Sequence, residues 1–216
     1  LLAADAYQNY LEANPGPLDS EILEMKGDAL LQAGEFGEAR LVFIESLESA
    51  QPSRADLLQL KIAQSAAESG GEEDAINRYW TLLENSSVDY VKAQANLLLG
   101  RLYLKLEMPE QAYARFQDSV IRFPTYFDTY SGLVALVEAD QPVDDLMRGI
   151  VDYYAGQYGL AIIALERYML ENPDHDGTAL YYKAYSHYEL GEYDQEIATW
   201  DVLIDEHPLD QYLATA

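Results

Sequence analysis

The feature that most constrains this chain is a segment that occurs twice towards its carboxyl end. Residues Ala155–Pro173 read AGQYGLAIIALERYMLENP, and residues Leu190–Pro208 read LGEYDQEIATWDVLIDEHP. The closing prolines of the two copies are 35 residues apart. A period of about 34 residues is typical of repeats in which each copy is one helix–turn–helix unit. The sequence therefore predicts stacked helical hairpins.

The same markers recur through the rest of the chain. Glycine tolerates the left-handed turn between two helices, and proline ends the second helix of a pair. Closing prolines stand at Pro15, Pro52, Pro124, Pro173 and Pro208. A small residue that lets paired helices approach closely is expected at Ala3, Ala39, Ala75, Ala112 and Ala161. An aromatic residue one turn later is expected to wedge into the neighbouring helix at Tyr7, Phe43, Tyr79, Phe116 and Trp200.

One interval between the small residues is longer than the others. Ala112 and Ala161 are 49 residues apart, which exceeds the period by the length of one helix and a turn. The surplus, Thr125–Asp140, carries apolar residues at helical spacing. We therefore expect repeats at 1–124, an extra unpaired helix within 125–141 and further repeats at 142–216. Capping-box-like patterns at predicted helix starts are Ser53-x-x-Asp56 and Thr125-x-x-Asp128.

Composition restricts the classes of partner. The chain has 13 Lys and Arg against 38 Asp and Glu, a formal net charge of −25. Such a charge repels phosphate backbones, so it disfavours nucleic acid and anionic membrane surfaces. A basic or mainly apolar partner is expected instead. There is no cysteine for a disulfide or a thiolate metal site. The sequence contains no run of about 18 apolar residues, the length that would predict a membrane-spanning helix.

Residues with catalytic or metal-binding chemistry do not form a recognisable pattern. There is no glycine-rich phosphate loop and no nucleophile elbow. The three histidines lack the paired spacing of a zinc site. Residues Asn172–Gly177 match the first half of a calcium-binding loop, but Lys183 takes the place of its essential glutamate. We predict no metal, no cofactor and no catalytic activity for this chain.

Together these copies resemble the tetratricopeptide repeat (TPR) family over nearly the whole chain, best at Ala155–Pro173 and Gly177–Pro208. The family's tryptophan near the start of the first helix is missing from every copy. The resemblance implies an all-α, TPR-like solenoid, a right-handed superhelix of about 12 antiparallel helices. It also implies a non-catalytic scaffold that binds a protein or peptide on a concave face formed by the first helix of each pair.

Residues expected on that face include Glu21, Glu24, Asp28, Leu31, Leu57, Leu60, Gln64 and Leu104. The candidate binding residues are Leu97, Arg101 and Lys105, followed by Tyr153, Tyr154, Tyr181, Tyr182, Tyr185 and Tyr188. Two basic side chains in one repeat do not make up the carboxylate clamp of chaperone-binding relatives, so chaperone tails are disfavoured. Tyrosine suits extended peptides and sugar rings. The alternative interpretation of the tyrosines is packing between repeats.

Residues Phe123–Pro208 also resemble the superhelical region ahead of the catalytic domain in some bacterial soluble lytic transglycosylases. That resemblance implies an accessory role beside peptidoglycan cleavage, cell-wall glycan as a ligand, and a periplasmic or cell-envelope location. A repeat protein of an outer-membrane assembly machine is a third alternative. Because Leu1 falls in the second helix of a repeat and Leu209–Ala216 begin another helix, we expect a piece of a longer solenoid.

Overall fold

The computed structural model describes residues 1–208, which form twelve α-helices and no β-strand. The chain divides into two compact units, residues Leu1–Ala112 (unit 1) and Tyr113–Ala216 (unit 2). Unit 1 contains α1 (Leu2–Ala13), α2 (Asp19–Gln32), α3 (Phe36–Ser49), α4 (Pro52–Glu68), α5 (Glu72–Asn85) and α6 (Asp89–Lys105). Helix α7 (Pro109–Arg122) begins in unit 1 and ends in unit 2. Unit 2 continues with α8 (Phe127–Glu138), α9 (Asp145–Tyr154), α10 (Tyr158–Glu171), α11 (Thr178–Glu189) and α12 (Tyr193–Glu206).

Unit 1 is a series of helices in which each packs against the next, from α1 to α6. The predicted small residues Ala39 and Ala75 are fully buried, and so is the predicted wedge Phe43. A Cβ added at Gly27 in α2 would overlap the Phe43 ring, so this glycine lets α3 approach α2 closely. The all-α repeat architecture predicted from the sequence is confirmed.

The first copy differs from the prediction by one residue. Ala3 is exposed, and Ala4 is the residue buried at 4% exposure. Ala4 joins the core of unit 1, with Leu11 packed against the same cluster two turns later. Successive side chains on a helix are rotated by about 100°, so residues 4 and 11 share a face that residue 3 does not. The prediction of Ala3 is therefore wrong.

The turns between paired helices follow the predicted pattern. Gly156 and Gly191 have φ values of 73° and 74°, the left-handed region that glycine enters without a steric penalty. Glu107 takes the same position after α6 with a φ of 58°. In each case the next helix begins two residues later.

The surplus helix predicted near 126–140 is α8. It lies against the unit 2 part of α7, where the Ser119 and Thr129 hydroxyl oxygens are 2.8 Å apart. The Thr129 hydroxyl also donates to the Phe123 carbonyl oxygen at 2.7 Å. After α8, helix α9 packs against α10, α10 against α11, and α11 against α12. The domain limits predicted at 124 and 141 stay a prediction.

The predicted capping boxes are wrong. Helix α4 begins at Pro52, so Ser53 lies inside its first turn, and the residue preceding α8 is Tyr126. Proline suits the first helical position because it has no N–H to leave unsatisfied. A side-chain cap occurs instead at Asp144, which accepts from the Met147 backbone N–H at 3.0 Å.

No helix between residues 1 and 208 combines the length and the apolar character needed to cross a membrane.

Gly149 is expected to tolerate no side chain. A Cβ at this position in α9 would lie 2.5 Å from Leu165 Cγ and 3.3 Å from the Ala161 carbonyl oxygen. Alanine normally stabilises a helix interior by about 1 kcal/mol relative to glycine, but overpacking costs about 1–3 kcal/mol. We expect Gly149→Ala to lower the free energy of unfolding by about 1–2 kcal/mol in urea denaturation.

Gly159→Ala is the matched control, because Gly159 lies in α10 and a Cβ there would meet no atom within 4 Å. We expect this variant to be unchanged or slightly more stable. If both variants behaved alike, the close approach of α9 and α10 at Gly149 would be refuted.

Candidate functional site

The predicted tyrosines of unit 2 come together as interlocking rings. Ring centroids are 5.3 Å apart for Tyr153 and Tyr182, and 4.9 Å apart for Tyr181 and Tyr185. Most neighbouring pairs meet edge to face, the arrangement that aromatic quadrupoles favour. We call this set the tyrosine cluster; it comprises Tyr153, Tyr154, Tyr158, Tyr181, Tyr182, Tyr185 and Trp200.

Two residues of the tyrosine cluster were not among the predicted site residues. The ring centroids of Tyr158 and Tyr153 are 5.8 Å apart, and those of Trp200 and Tyr185 are 5.3 Å apart. Trp200 was identified in the sequence only as a packing wedge. Tyr188 was predicted with the others, but it is half exposed and its ring contacts Tyr193 instead.

The tyrosine cluster has an inner and an outer part. Tyr153, Tyr181, Tyr182 and Tyr185 are half-buried, whereas Tyr154 is 47% exposed. The hydroxyl oxygens of Tyr154 and Tyr182 are 3.4 Å apart at the outer edge. The inner rings therefore pack α9, α11 and α12 together, and the exposed Tyr154 ring, with the Tyr182 hydroxyl beside it, forms an outer aromatic face.

The Tyr153 hydroxyl is a neutral hydrogen-bonding group within the tyrosine cluster. Burial, together with a smaller effect of the nearby Glu189 carboxylate, raises the pKa of Tyr153 to about 12. A phenol with so high a pKa stays protonated at physiological pH. The tyrosine cluster can thus donate hydrogen bonds and stack against apolar or cationic groups.

The predicted site residues of unit 1 lie on α6. Leu97 is buried at 5% exposure, so its side chain belongs to the packing of the unit. Arg101 and Lys105 are exposed and line a recess between α4 and α6. Lys105 Nζ donates to the Ala67 carbonyl oxygen at 3.2 Å and lies 3.5 Å from Glu68 Oε2. The buried Tyr79 from α5 also lines this recess; it had been predicted only as a wedge.

Unit 1 holds a buried carboxylate within a network of charges. Glu24 is 5% exposed and accepts from Arg54 Nη2 at 2.6 Å and from Lys61 Nζ at 2.8 Å. Lys61 Nζ also donates to both carboxylate oxygens of Asp28 at 2.7 Å. Burial by itself would raise the pKa of Glu24, but the hydrogen bonds from Lys61 and Arg54 outweigh it and lower the pKa.

Unit 2 also holds a buried carboxyl group, but its pKa is raised, whereas that of Glu24 is lowered. Asp152 in α9 is 2% exposed, and its Oδ2 atom has no hydrogen-bond partner within residues 1–208. The nearest cation is Arg148, whose Nε atom is 3.7 Å from Oδ2. Burial raises the pKa of Asp152 to about 6, against a smaller lowering by Arg148.

Within the described residues, no three His, Cys, Asp or Glu side chains are grouped closely enough to hold a metal ion. At the calcium-loop-like segment, Lys183 Nζ pairs with Glu166 Oε1 at 2.7 Å. The His175 and His207 rings lie 5.1 Å apart between centroids. These contacts join neighbouring helices and loops of unit 2.

The solved structures that are similar to this chain include two crystal structures. One is a tetratricopeptide repeat protein from Parabacteroides merdae ATCC 43184, with 19% identity, a TM-score of 0.46, and coverage of 94% of this chain and 72% of that one. The other is BtubC (BKLC) from P. vanneervenii, with 14% identity, a TM-score of 0.46, and coverage of 93% of this chain and 85% of that one. No curated protein matches the sequence significantly. The resemblance to lytic transglycosylases stays a prediction.

A family model described as tetratricopeptide repeat matches residues 2–55 and 146–210, which together make up more than half of the chain. The match includes the two copies with which the repeat was recognised and the helices that carry the tyrosine cluster. The chain belongs to the tetratricopeptide repeat family.

Proposed function

We propose that this chain is a non-catalytic scaffold that holds a basic or apolar peptide segment of a partner protein against the tyrosine cluster. Tetratricopeptide repeats typically bind proteins or peptides. The observation that carries the proposal is the division of the tyrosine cluster into packed inner rings and an outer face. Tyr154 keeps 47% of its surface exposed beside the Tyr182 hydroxyl.

The chemistry of the outer face favours a rigid aromatic contact. Tyrosine offers a large apolar surface with few rotatable bonds, and here the rings are already held by their neighbours, so little side-chain entropy is lost on binding. The hydroxyls can bond the amides of an extended peptide. This pre-organisation supports peptide binding more directly than a loose set of surface tyrosines would.

The charge of the surroundings supports a basic or apolar peptide. Glu189 lies close enough to Tyr153 to influence its pKa, and the chain as a whole carries a net charge of −25. A Lys or Arg side chain stacked on a tyrosine ring would gain from the ring quadrupole and from a nearby carboxylate. An acidic segment would be repelled by the same charges.

The proposal is tested with peptides selected on the whole protein from a random 12-residue phage library. We expect selected sequences to be rich in Lys, Arg and apolar residues. Their affinity, measured by fluorescence polarisation, should fall roughly tenfold or more in Tyr154→Ala/Tyr182→Ala, because truncating central aromatic contacts typically costs about 2 kcal/mol or more. The helical circular dichroism should be retained.

Tyr10→Ala is the matched control, since Tyr10 in α1 has the same 47% exposure but lies outside the tyrosine cluster. This variant should bind the selected peptides as the wild type does. Selection of mainly acidic peptides, or equal affinity for the double variant and the wild type, would contradict the proposal.

A further inference from the structure

The surplus helix α8 forms one wall of a recess in unit 2, which we call the α8 recess. Its other walls come from α9 and from the first turn of α10, and its volume is about 110 Å³. The lining includes Val134, Val137 and Glu138 of α8, Arg148 and Asp152 of α9, and Leu160 of α10. All of these residues lie in unit 2. Because α8 is the helix that exceeds the regular repeat, the recess is an addition to the succession of paired helices.

Asp152 is the buried acid of the α8 recess. The residue is 2% exposed, and its Oδ2 atom has no hydrogen-bond partner within residues 1–208. The Arg148 Nε atom is 3.7 Å away, which is beyond hydrogen-bond distance. Buried polar atoms are normally hydrogen-bonded, because losing water without a replacement partner is unfavourable. A donor that enters the recess would supply the missing partner.

The charge of the α8 recess favours one kind of donor. Its lining contains two acids, Glu138 and Asp152, and one base, Arg148. Since the pKa of Asp152 is about 6, its carboxyl group is mostly ionised at pH 8. The lining then carries a net negative charge, in a chain whose own net charge is −25. A cationic donor is therefore attracted more strongly than a neutral one.

The apolar part of the lining favours a donor on an aliphatic chain. Val134 is half-buried, and Val137 and Leu160 are exposed, so the apolar wall of the recess reaches solvent. Covering such side chains with methylene groups removes apolar surface from water, which is favourable. Lysine combines a flexible four-carbon stem with a compact ammonium group that donates three hydrogen bonds.

We propose that the α8 recess binds a lysine side chain of a partner protein. The ammonium group donates to the Asp152 carboxylate, and the exposed Glu138 adds attraction. The aliphatic stem lies along Val137 and Leu160. A buried carboxylate that lacks a partner is unfavourable, and the ammonium group provides both the opposite charge and the hydrogen bond. This site goes beyond the proposed function, because none of its residues belongs to the tyrosine cluster.

The test uses two acetylated and amidated ten-residue peptides of Gly and Ser that differ only at one central position, which is Lys or norleucine. Norleucine keeps the aliphatic stem and lacks the ammonium group. Binding to the whole protein at pH 8 and physiological ionic strength is followed by the NMR methyl signals of Val134, Val137 and Leu160. We expect saturable shifts with the Lys peptide and roughly tenfold weaker binding, or none, with the norleucine peptide. Equal binding of the two peptides, or no saturable shift with the Lys peptide, would overturn the proposal.

Two variants with the same change of charge assign the effect to the recess. Asp152→Asn should weaken binding of the Lys peptide roughly tenfold or more, because the amide keeps the size of the side chain and loses its charge. Asp201→Asn is the matched control, since it removes an exposed acid of α12 and should leave binding unchanged. General attraction of a cationic peptide to an acidic chain would fall equally in both variants. Unchanged binding in Asp152→Asn, or an equal loss in the two variants, would refute the site.

Two further measurements separate this site from folding and from the tyrosine cluster. Glu138→Gln alters only an exposed side chain, and it should weaken binding of the Lys peptide roughly two- to fivefold. Helical circular dichroism of each variant shows that the fold is kept. Tyr154→Ala/Tyr182→Ala should bind the Lys peptide as the wild type does, so failure here and failure of the proposed function are distinguishable.

Discussion

Replacing Lys61 by methionine is expected to lower the free energy of unfolding at pH 7 by about 3 kcal/mol, because removing one member of a buried ion pair leaves an uncompensated charge. Lys61 Nζ contacts Glu24 at 2.8 Å, and Glu24 is 5% exposed. Arg54 still bonds Glu24 in the variant, which limits the loss. Urea denaturation measures the change.

The pH dependence of the same variant gives a second measurement. The pKa of Glu24 is lowered from its ordinary value of 4.5 in the folded protein. The ionised network therefore stabilises the wild type above pH 4.5, and this stability is lost as the pH falls through the folded pKa. In Lys61→Met the loss on acidification should be smaller, because less stabilisation of the carboxylate remains.

The control for Lys61→Met is the double variant Glu24→Gln/Lys61→Met. With the carboxylate replaced by a neutral amide, the missing cation should matter less, and much of the lost stability should return. A single variant as stable as the wild type would show that the Glu24 network contributes nothing. The coupling would be refuted if the loss of unfolding free energy in the double variant equalled or exceeded the summed losses of Glu24→Gln and Lys61→Met measured separately.

The helical repeat could be predicted because its markers act locally. Gly156 and Gly191 allow a backbone conformation that other residues adopt with difficulty, and the prolines at 173 and 208 exclude continuation of a helix. Each marker needs only its own neighbours to have this effect. Their recurrence then places the helices, and one irregular interval was enough to predict α8.

Details that depend on packing could not be predicted in the same way. Burial of Ala4 rather than Ala3 depends on how α1 rotates against its neighbours, and a one-residue shift leaves the repeat pattern almost unchanged. Ser53 has the composition of a cap, but Pro52 before it already occupies the first helical position. In both cases the competing residues are adjacent, and periodicity does not distinguish them.

The candidate sites show the same limit. The sequence identified the tyrosines because six of them fall on expected helix faces, but it did not identify Trp200 as their partner. Tyr79 was predicted only as a packing wedge, and nothing in the pattern indicates that it lines a recess together with Arg101. Side chains from three helices define that recess, so it follows from the tertiary packing.

Asp152→Asn is expected to stabilise the protein at pH 8, in contrast to the substitution of Lys61. The folded pKa of Asp152 is about 6 and its ordinary value is 3.8. As the pH rises above 3.8, the unfolded chain releases this proton while the folded chain retains it, so stability falls until the pH passes about 6. A difference of this size corresponds to at most about 3 kcal/mol. Asparagine removes the ionisation and with it this loss.

The effect of Asp152→Asn should therefore depend on pH. Urea denaturation should show a more stable variant at pH 8 and nearly equal stabilities near pH 3.5, where the wild-type carboxyl group is protonated in the folded state and mostly protonated in the unfolded state. Asp201→Asn changes an exposed acid in the middle of α12 and should alter stability by less than about 0.5 kcal/mol at either pH. Equal stability of Asp152→Asn and wild type at pH 8, or an undiminished difference near pH 3.5, would contradict the assignment.

The two buried carboxyl groups act on stability in opposite directions of pH. The stabilisation by ionised Glu24 is lost as the pH falls below 4.5. Ionisation of Asp152 lowers the stability as the pH rises from 3.8 towards 6. As far as these two groups are concerned, the wild type should therefore be most stable between pH 3.8 and pH 4.5, the ordinary pKa values of Asp152 and Glu24. Asp152→Asn should extend the stable range to higher pH while leaving the acid side unchanged, because the Glu24 network lies in the other unit. Among 38 acidic residues, burial and the available hydrogen-bond donors thus determine which carboxyl groups make the stability of the fold depend on pH.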